Sequence, residues 1–293
     1  MFHGIYAPIP TPFNSSGEIA WGKLRENLSW WAKSSLHGLV VAGTNGEAVL
    51  LEDDEKAELF SFVRENFPGE KKIIAGTGCE SAKETFKLIR FAADSGADAA
   101  LVITPHYFKG CMSDQALENY YLHVAENSPL PIFLYNMPRN TTINLTAGLV
   151  ARLAKHPNIV GIKDSGGNIV QIGKIIEKTG DDFIVSAGSA GFLLPALLLG
   201  AGGGTLALAN VMPEECADIY RLYRAGEIEA ARKLQLNLLE INDAVTARYG
   251  VAGLKAALDL IGRYGGPPRL PLLPVNEGEK RQLQGIMQEC RIL

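Results

Sequence analysis

Cysteine is scarce in this chain: four residues in 293, Cys79, Cys111, Cys216 and Cys290, with no C-x-x-C pair. That spacing argues against a disulfide scaffold or a thiolate zinc site and suits free thiols in a reducing compartment. Histidine is equally dispersed, at His3, His37, His106, His123 and His156, and no H-E-x-x-H occurs, which argues against the common metallohydrolase arrangement. A G-x-S-x-G elbow is also missing. With a formal net charge of −4 and no long basic stripe, the chain lacks the footprint of a nucleic-acid binder. The opening MFHGIYAPIPTPF has no basic segment followed by an apolar one, so no secretory signal is read and a cytoplasmic location is expected. Low-complexity linkers are absent as well.

One long uncharged stretch, from Ser186 to Pro213, could in principle cross a membrane. It is broken by Gly188, Gly191, Pro195, Gly200, Gly202, Gly203 and Gly204. Strands covered on both faces, joined to a short helix under the same layer, produce the same run, and that reading is adopted. GAGGGT, from Gly200, superficially resembles a nucleotide loop. It precedes its apolar run instead of following it and lacks the G-x-G-x-x-G spacing, so a tight turn into a strand is the better reading.

What is present is a chain 47% hydrophobic and 20% charged, the profile of a folded globular protein with a large core. Short apolar runs recur: GIYAPIP from Gly4, GLVVAG from Gly38, KIIAGTG from Lys72, AALVITP from Ala99, PIFLYNMP from Pro131, IVGIKD from Ile159, FIVSAG from Phe183 and GTLALAN from Gly204. Continuous apolarity marks strands buried on both faces. Amphipathic segments separate them, with helix signals such as Glu52–Phe67, Ser81 with Glu84 three places on, a stop at Ser95-Gly96, and Ser113. Eight strand-then-helix units with short connections predict an α/β fold, a (β/α)8 barrel of the TIM type. We place the barrel at residues 1–226, its eighth unit completed by a helix at Glu214–Arg224, and a C-terminal helical extension at 227–293, with helices at Ile228–Arg248, Val251–Arg263 and Glu277–Gln288.

Active sites of such barrels lie at the carboxyl ends of the strands. Lys163 ends the apolar run Ile159-Val160-Gly161-Ile162. Desolvation disfavours an ammonium ion and makes a nucleophilic free amine available. The same lysine alone is equally compatible with a strand-end charge that snorkels outward or pairs with Asp164. Tyr135 ends the preceding strand, where a phenol beside an amine can shuttle protons during imine chemistry. It could also be an ordinary core-edge tyrosine. GTNGEA, Gly43 to Ala48, offers backbone N–H groups together with the Thr44 and Asn45 side chains, a seat for a carboxylate. Tyr107, in TPHYF, is a weaker candidate by itself.

Assembled, these residues give the chain its resemblance to the dihydrodipicolinate synthase / N-acetylneuraminate lyase family, carried by G-T-N-G-E, YNMP and G-I-K-D-S in that order over nearly the whole length. The resemblance implies a class I carbon–carbon lyase on a barrel, with pyruvate and an aldehyde as substrates, no dissociable cofactor and no metal, and a homotetrameric assembly. It implies Lys163 as the imine-forming lysine, Tyr135 as the proton-transferring tyrosine, Thr44 as the hydroxyl linking it to a second tyrosine, and Tyr107 as that tyrosine, reaching across from a neighbouring subunit. The Thr44 and Asn45 amides would hold the pyruvate carboxylate, with Ser165 and Gly188 lining the pocket.

The synthases of the family carry an arginine two places after the proline of YNxP, where this chain has Asn140, and Arg139 stands one place earlier. They also have threonine where Asn45 stands. HPNIVGIKDSGGN, AGSAGFLL, LALANV, AVTARYGVAGLK and YGGPPRLPL are similar to the 4-hydroxy-2-oxoglutarate aldolase branch. The expectation is therefore cleavage of a 4-hydroxy-2-oxo acid, foremost 4-hydroxy-2-oxoglutarate to pyruvate and glyoxylate. The alternatives are condensation of pyruvate with aspartate semialdehyde, the dihydrodipicolinate synthase reaction, and a 2-keto-3-deoxy sugar acid aldolase.

Overall fold

A computed structural model describes residues 2–290. Eight strands, β1 Gly4–Pro8, β2 Gly38–Val41, β3 Lys72–Gly76, β4 Ala99–Ile103, β5 Ile132–Asn136, β6 Ile159–Asp164, β7 Ile184–Ala187 and β8 Gly203–Thr205, form one closed barrel in sequence order. Every pairing is parallel, and β8 returns to β1 through the register Gly4↔Gly203 and Tyr6↔Thr205. The (β/α)8 expectation is met.

Side chains alternate across each strand and so build two cores. One set, including Tyr6, Val40, Ile74, Leu101, Phe133 and Tyr135, points into the barrel. The other, including Ile5, Leu39, Ile73, Val102, Leu134 and Ile162, packs against the outer helices. Both faces are dry, which is why the runs in the sequence are continuously apolar. Gly161 is needed inside the barrel, because a Cβ there would sit 2.5 Å from the Phe133 ring.

The helices after each strand are α1 Trp21–Ala32, α2 Asp53–Asn66, α3 Ala82–Asp94, α4 Asp114–Asn127, the short α5 Pro138–Thr141 with α6 Ala147–Leu153, α7 Ile169–Lys178, α8 Leu193–Leu198 and α9 Pro213–Arg224. Their caps follow the sequence signals. Glu52 and Glu55 form a reciprocal capping box on α2, and the Ser81 hydroxyl accepts the Glu84 N–H at 3.1 Å. Gly96 then adopts φ +80° just after α3.

Two readings are corrected. The eighth strand ends at Thr205, and Ala207–Asn210 coils into a 3-10 turn. The Asn210 amide donates to both Pro8 O and Ala207 O, a tie that a strand could not satisfy. The single helix expected over 228–248 is divided into α10 Ile228–Asn237, α11 Leu239–Asp243 and a π-helical turn over Ala244–Arg248. The extra residue in that wide turn aims Asn242, Thr246 and Ala247 at the barrel mouth, a usual role for such bulges. Gly250 follows with φ +57°, then α12 Gly250–Leu260 and α13 Glu277–Glu289. The uncharged stretch Ser186–Pro213 is two barrel strands, α8 and the 3-10 turn. Among the described residues no helix is long and apolar enough to cross a membrane.

Candidate active site

Tyr135 and Lys163 are cross-strand partners near the carboxyl ends of β5 and β6, and both point into the barrel. Asp164, the next residue, necessarily faces the other way. It is fully buried and accepts N–H bonds from Asn136 (2.9 Å), Gln171 (3.1 Å) and the Gly166 backbone (2.8 Å). The alternative that Lys163 is simply the ion-pair partner of Asp164 is therefore not what the fold builds. Lys163 is 5% exposed, and among the described residues no carboxylate lies within ion-pair distance of it. Its Nζ lies 4.2 Å from the centroid of the Tyr135 ring.

The Tyr135 hydroxyl is 3.1 Å from Thr44 Oγ1, so the loop after β2 reaches across to β5. That loop is held in an uncommon shape, with Ala42 at φ 52° and Glu47 at φ 57°. Non-glycine residues in the left-handed region cost on the order of 1–3 kcal/mol each and persist only where surroundings enforce them. The enforcement is visible. Thr11 donates to Gly46 O at 2.7 Å, and the buried Glu47 carboxylate pairs with buried Lys255 of α12 and accepts the Arg269 N–H at 2.8 Å. Lys255 also donates to Pro267 O at 3.0 Å. Burial pulls the Lys255 ammonium below its ordinary range, and the Glu47 carboxylate opposes that pull. Among the described residues the Thr44 and Asn45 backbone amides bond to nothing in the protein, and they stand free at the rim as donors.

Over these groups opens a cavity of about 740 Å³. Thr44, Asn45, Tyr135, Asn140, Lys163, Ser165 and Gly188 all line it, so seven of the eight residues singled out by sequence converge. Gly188 sits against Ser165: a Cβ would fall 2.0 Å from Ser165 Oγ and 2.7 Å from Asp164 O. Tyr107 is the exception. It is 77% exposed on the loop after β4, stacked edge-on with Phe108, and it does not line the cavity of its own chain.

Three features were not singled out from sequence. Arg139 lines the cavity beside Asn140, with one guanidinium nitrogen donating to Ala247 O at 2.8 Å. The C-terminal helices supply one wall, in which Ser189 bonds Asn242 at 3.2 Å. The Glu47–Lys255 pair underpins the loop, and its signal was there to read: a lone lysine inside the apolar GVAGLKAALDL, the same pattern that marked Lys163. The arrangement offers a desolvated primary amine, a phenol and hydroxyl in series beside it, free amides for one anionic group and a guanidinium for another. No group of three His, Cys, Asp or Glu side chains suited to a metal occurs among the described residues.

Comparison with known proteins gives the chain its family. The profile of the dihydrodipicolinate synthetase family matches residues 1–290. A 4-hydroxy-tetrahydrodipicolinate synthase of Geobacter sulfurreducens is 36% identical over 293 residues, covering 100% of both chains. Among solved structures, a dihydrodipicolinate synthase from Bacillus anthracis superposes with a TM-score of 0.94 at 33% identity, covering 98% of each chain. YagE, an Escherichia coli prophage protein of the dihydrodipicolinic acid synthase family solved in complex with pyruvate, superposes with a TM-score of 0.95 at 29% identity over 100% of each chain.

Proposed function

The chain belongs to the dihydrodipicolinate synthetase family, and we propose that it joins pyruvate to, or releases pyruvate from, an aldehyde that bears its own carboxylate. Membership makes it a class I carbon–carbon lyase working through a lysine imine. The observation that supports an acidic aldehyde is Arg139, a guanidinium in the same cavity as the free Thr44 and Asn45 amides, so that two anionic groups can be seated at once.

The chemistry follows from the residues. The free amine of Lys163 adds to the C2 ketone of pyruvate, whose carboxylate takes the Thr44 and Asn45 N–H groups. Tyr135, bonded to Thr44, delivers a proton to the carbinolamine oxygen, water leaves, and a cationic imine remains. Loss of a C3 proton gives an enamine that attacks the aldehyde carbon, and the aldehyde oxygen takes up a proton. Hydrolysis of the imine frees the product and restores the amine. Cleavage is the reverse sequence, with the imine accepting the electron pair of the breaking C–C bond.

Two acids fit this description. The name carried by the 36%-identical relative supports aspartate semialdehyde, that is, condensation to 4-hydroxy-tetrahydrodipicolinate, as the first reading. Asn140 in place of the synthases' arginine supports the second, cleavage of 4-hydroxy-2-oxoglutarate to pyruvate and glyoxylate. Side-by-side kcat/KM measurements with aspartate semialdehyde plus pyruvate and with 4-hydroxy-2-oxoglutarate decide between them. Preference for an uncharged aldehyde over both would defeat the proposal. Arg139→Ala should raise KM for the preferred acid by roughly 10–100-fold, the scale of one charge-assisted hydrogen bond, while leaving pyruvate imine formation intact.

Tyr107 is assigned, on the family resemblance, to the site of a neighbouring subunit within a homotetramer. Its exposure on the loop after β4 is compatible with that assignment. Mixing inactive Lys163→Ala and Tyr107→Phe proteins should then restore activity in hybrids, and a fully active monomer would refute the assignment.

A further inference from the structure

On the amino-terminal side of Lys163, toward Phe2, the eight strands enclose a second cavity of about 10 Å³. Each strand contributes one side chain to it. From Val40 on β2 round to Phe133 on β5 these are aliphatic or aromatic, β1 contributes the phenol Tyr6, and the consecutive strands β6, β7 and β8 present Lys163, Ser186 and Thr205. The volume is that of a single water, which needs roughly 10–15 Å³ and two to four polar partners. Ser186 and Thr205 are 8% and 4% exposed, and their hydroxyls bond each other at 3.0 Å. Two hydroxyls carry two hydrogens and four lone pairs. Their mutual bond uses one of each, and among the described residues neither hydroxyl has another partner. Lys163 Nζ likewise has no hydrogen-bonding partner among the described residues, although its Cα is in register with that of Ser186. Lys163, Ser186 and Thr205 thus line one water-sized gap with no hydrogen bond between the amine and either hydroxyl, the setting for a bridging water.

We propose that this cavity is a one-water site in which Ser186 and Thr205 hold a water that accepts an N–H of Lys163 and so aims the amine lone pair at the substrate cavity. The inference rests on Lys163 being the imine-forming residue. A free amine has two N–H bonds and one lone pair, and attack on the ketone requires the lone pair to face the large cavity. The hydrogens are then turned toward the barrel interior, where Val40 and its apolar neighbours offer no acceptor and β7 and β8 do. The iminium N–H meets the same acceptor after dehydration. A carboxylate at that position would hold the nitrogen as ammonium, whereas neutral hydroxyls and water orient it without fixing the charge. Ser186 and Thr205 are thus positioning residues: they act on Lys163 and do not touch the substrate.

The test is the rate at which borohydride traps pyruvate on the enzyme, compared for wild type, Ser186→Ala, Thr205→Val and Thr205→Ser. Trapping should slow about tenfold in Ser186→Ala and Thr205→Val, the effect of one hydrogen bond to the reacting nitrogen. Thr205→Ser, which keeps the hydroxyl, should restore the rate. Inhibition by propanoate, which has the carboxylate but no ketone, should stay within about twofold in all of them. Wild-type trapping rates in Thr205→Val, or an equal loss in Thr205→Ser, would overturn the inference. Thr205→Val is close to isosteric and reads independently if Ser186→Ala does not fold. Absence of trapping in the wild-type enzyme would instead overturn the assignment of Lys163 itself, so the two failures are distinct.

Discussion

The Tyr135 phenol is fixed at both ends of its function: its hydroxyl lies 3.1 Å from Thr44 Oγ1, and its ring centroid lies 4.2 Å from the Lys163 amine nitrogen. Tyr135→Phe keeps the ring beside the amine and removes only the proton carrier. We expect kcat to fall on the order of 10²–10⁴-fold, the usual contribution of a positioned acid–base group. Lys163 should still be labelled by pyruvate and borohydride, more slowly. Thr44→Val should cost on the order of tenfold, because it removes one hydrogen bond from a phenol that remains in place. Equal losses in the two variants would show that Thr44 does more than hold Tyr135.

Gly188 is a steric requirement of the pocket wall. Gly188→Ala would force apart Ser165 Oγ and the Asp164 carbonyl, at 2.0 and 2.7 Å from the new carbon. The hydroxyl can rotate away, but the backbone carbonyl cannot. KM for both substrates should rise and the melting temperature should fall, both measurable on one preparation. Gly188→Ala combined with Ser165→Gly should recover only part of the loss, since the carbonyl clash persists.

Lys255 and Glu47 neutralise each other with 1% and 0% of their side chains exposed. Lys255→Met strands a buried carboxylate and should destabilise the fold by about 3–5 kcal/mol, read from urea denaturation. It should also loosen the loop that presents the Thr44 and Asn45 amides, so KM for pyruvate should rise more than kcat falls. A double variant, Lys255→Met with Glu47→Gln, removes the stranded charge and should regain stability relative to the single change.

Acid should act through Glu55. Both nitrogens of the Arg269 fork hydrogen-bond its carboxylate at 2.6 Å, and this holds the Glu55 carboxyl below its ordinary value of 4.5. A group whose pKa is depressed by folding stabilises the native state above its unfolded pKa, and that contribution is lost as pH falls through the folded value. Wild-type stability should therefore decline more steeply below pH 4.5 than that of Glu55→Gln. Parallel declines in urea midpoints between about pH 6 and about pH 3 would show that the pair contributes nothing.

The barrel was legible along the chain because its strands are buried on both faces. Only that environment produces eight uninterrupted apolar runs, each followed by a capped amphipathic helix. Lys163 and Tyr135 were legible as candidates for a related reason: each closes an apolar strand at the barrel's carboxyl end, and it is the pairing of β5 with β6 that sets them side by side. The division of the 228–248 segment was not legible, because a π turn keeps nearly the same apolar spacing as an α-helix, and its residues are selected by what they face.

By itself, then, the sequence determined the fold and marked Lys163, Tyr135 and the Thr44–Asn45 loop as candidates, since each of these readings depends on local pattern: burial period, strand-end polarity and loop chemistry. Tertiary structure alone decided the rest. It turned Asp164 away from Lys163 into its own hydrogen-bond network, brought Arg139 to the cavity, joined Glu47 to a lysine more than 200 positions distant, and set Ser186 and Thr205 behind the reacting amine. These are pairings across strands and between distant segments. Barrel closure brings them together, and no spacing along the chain encodes them.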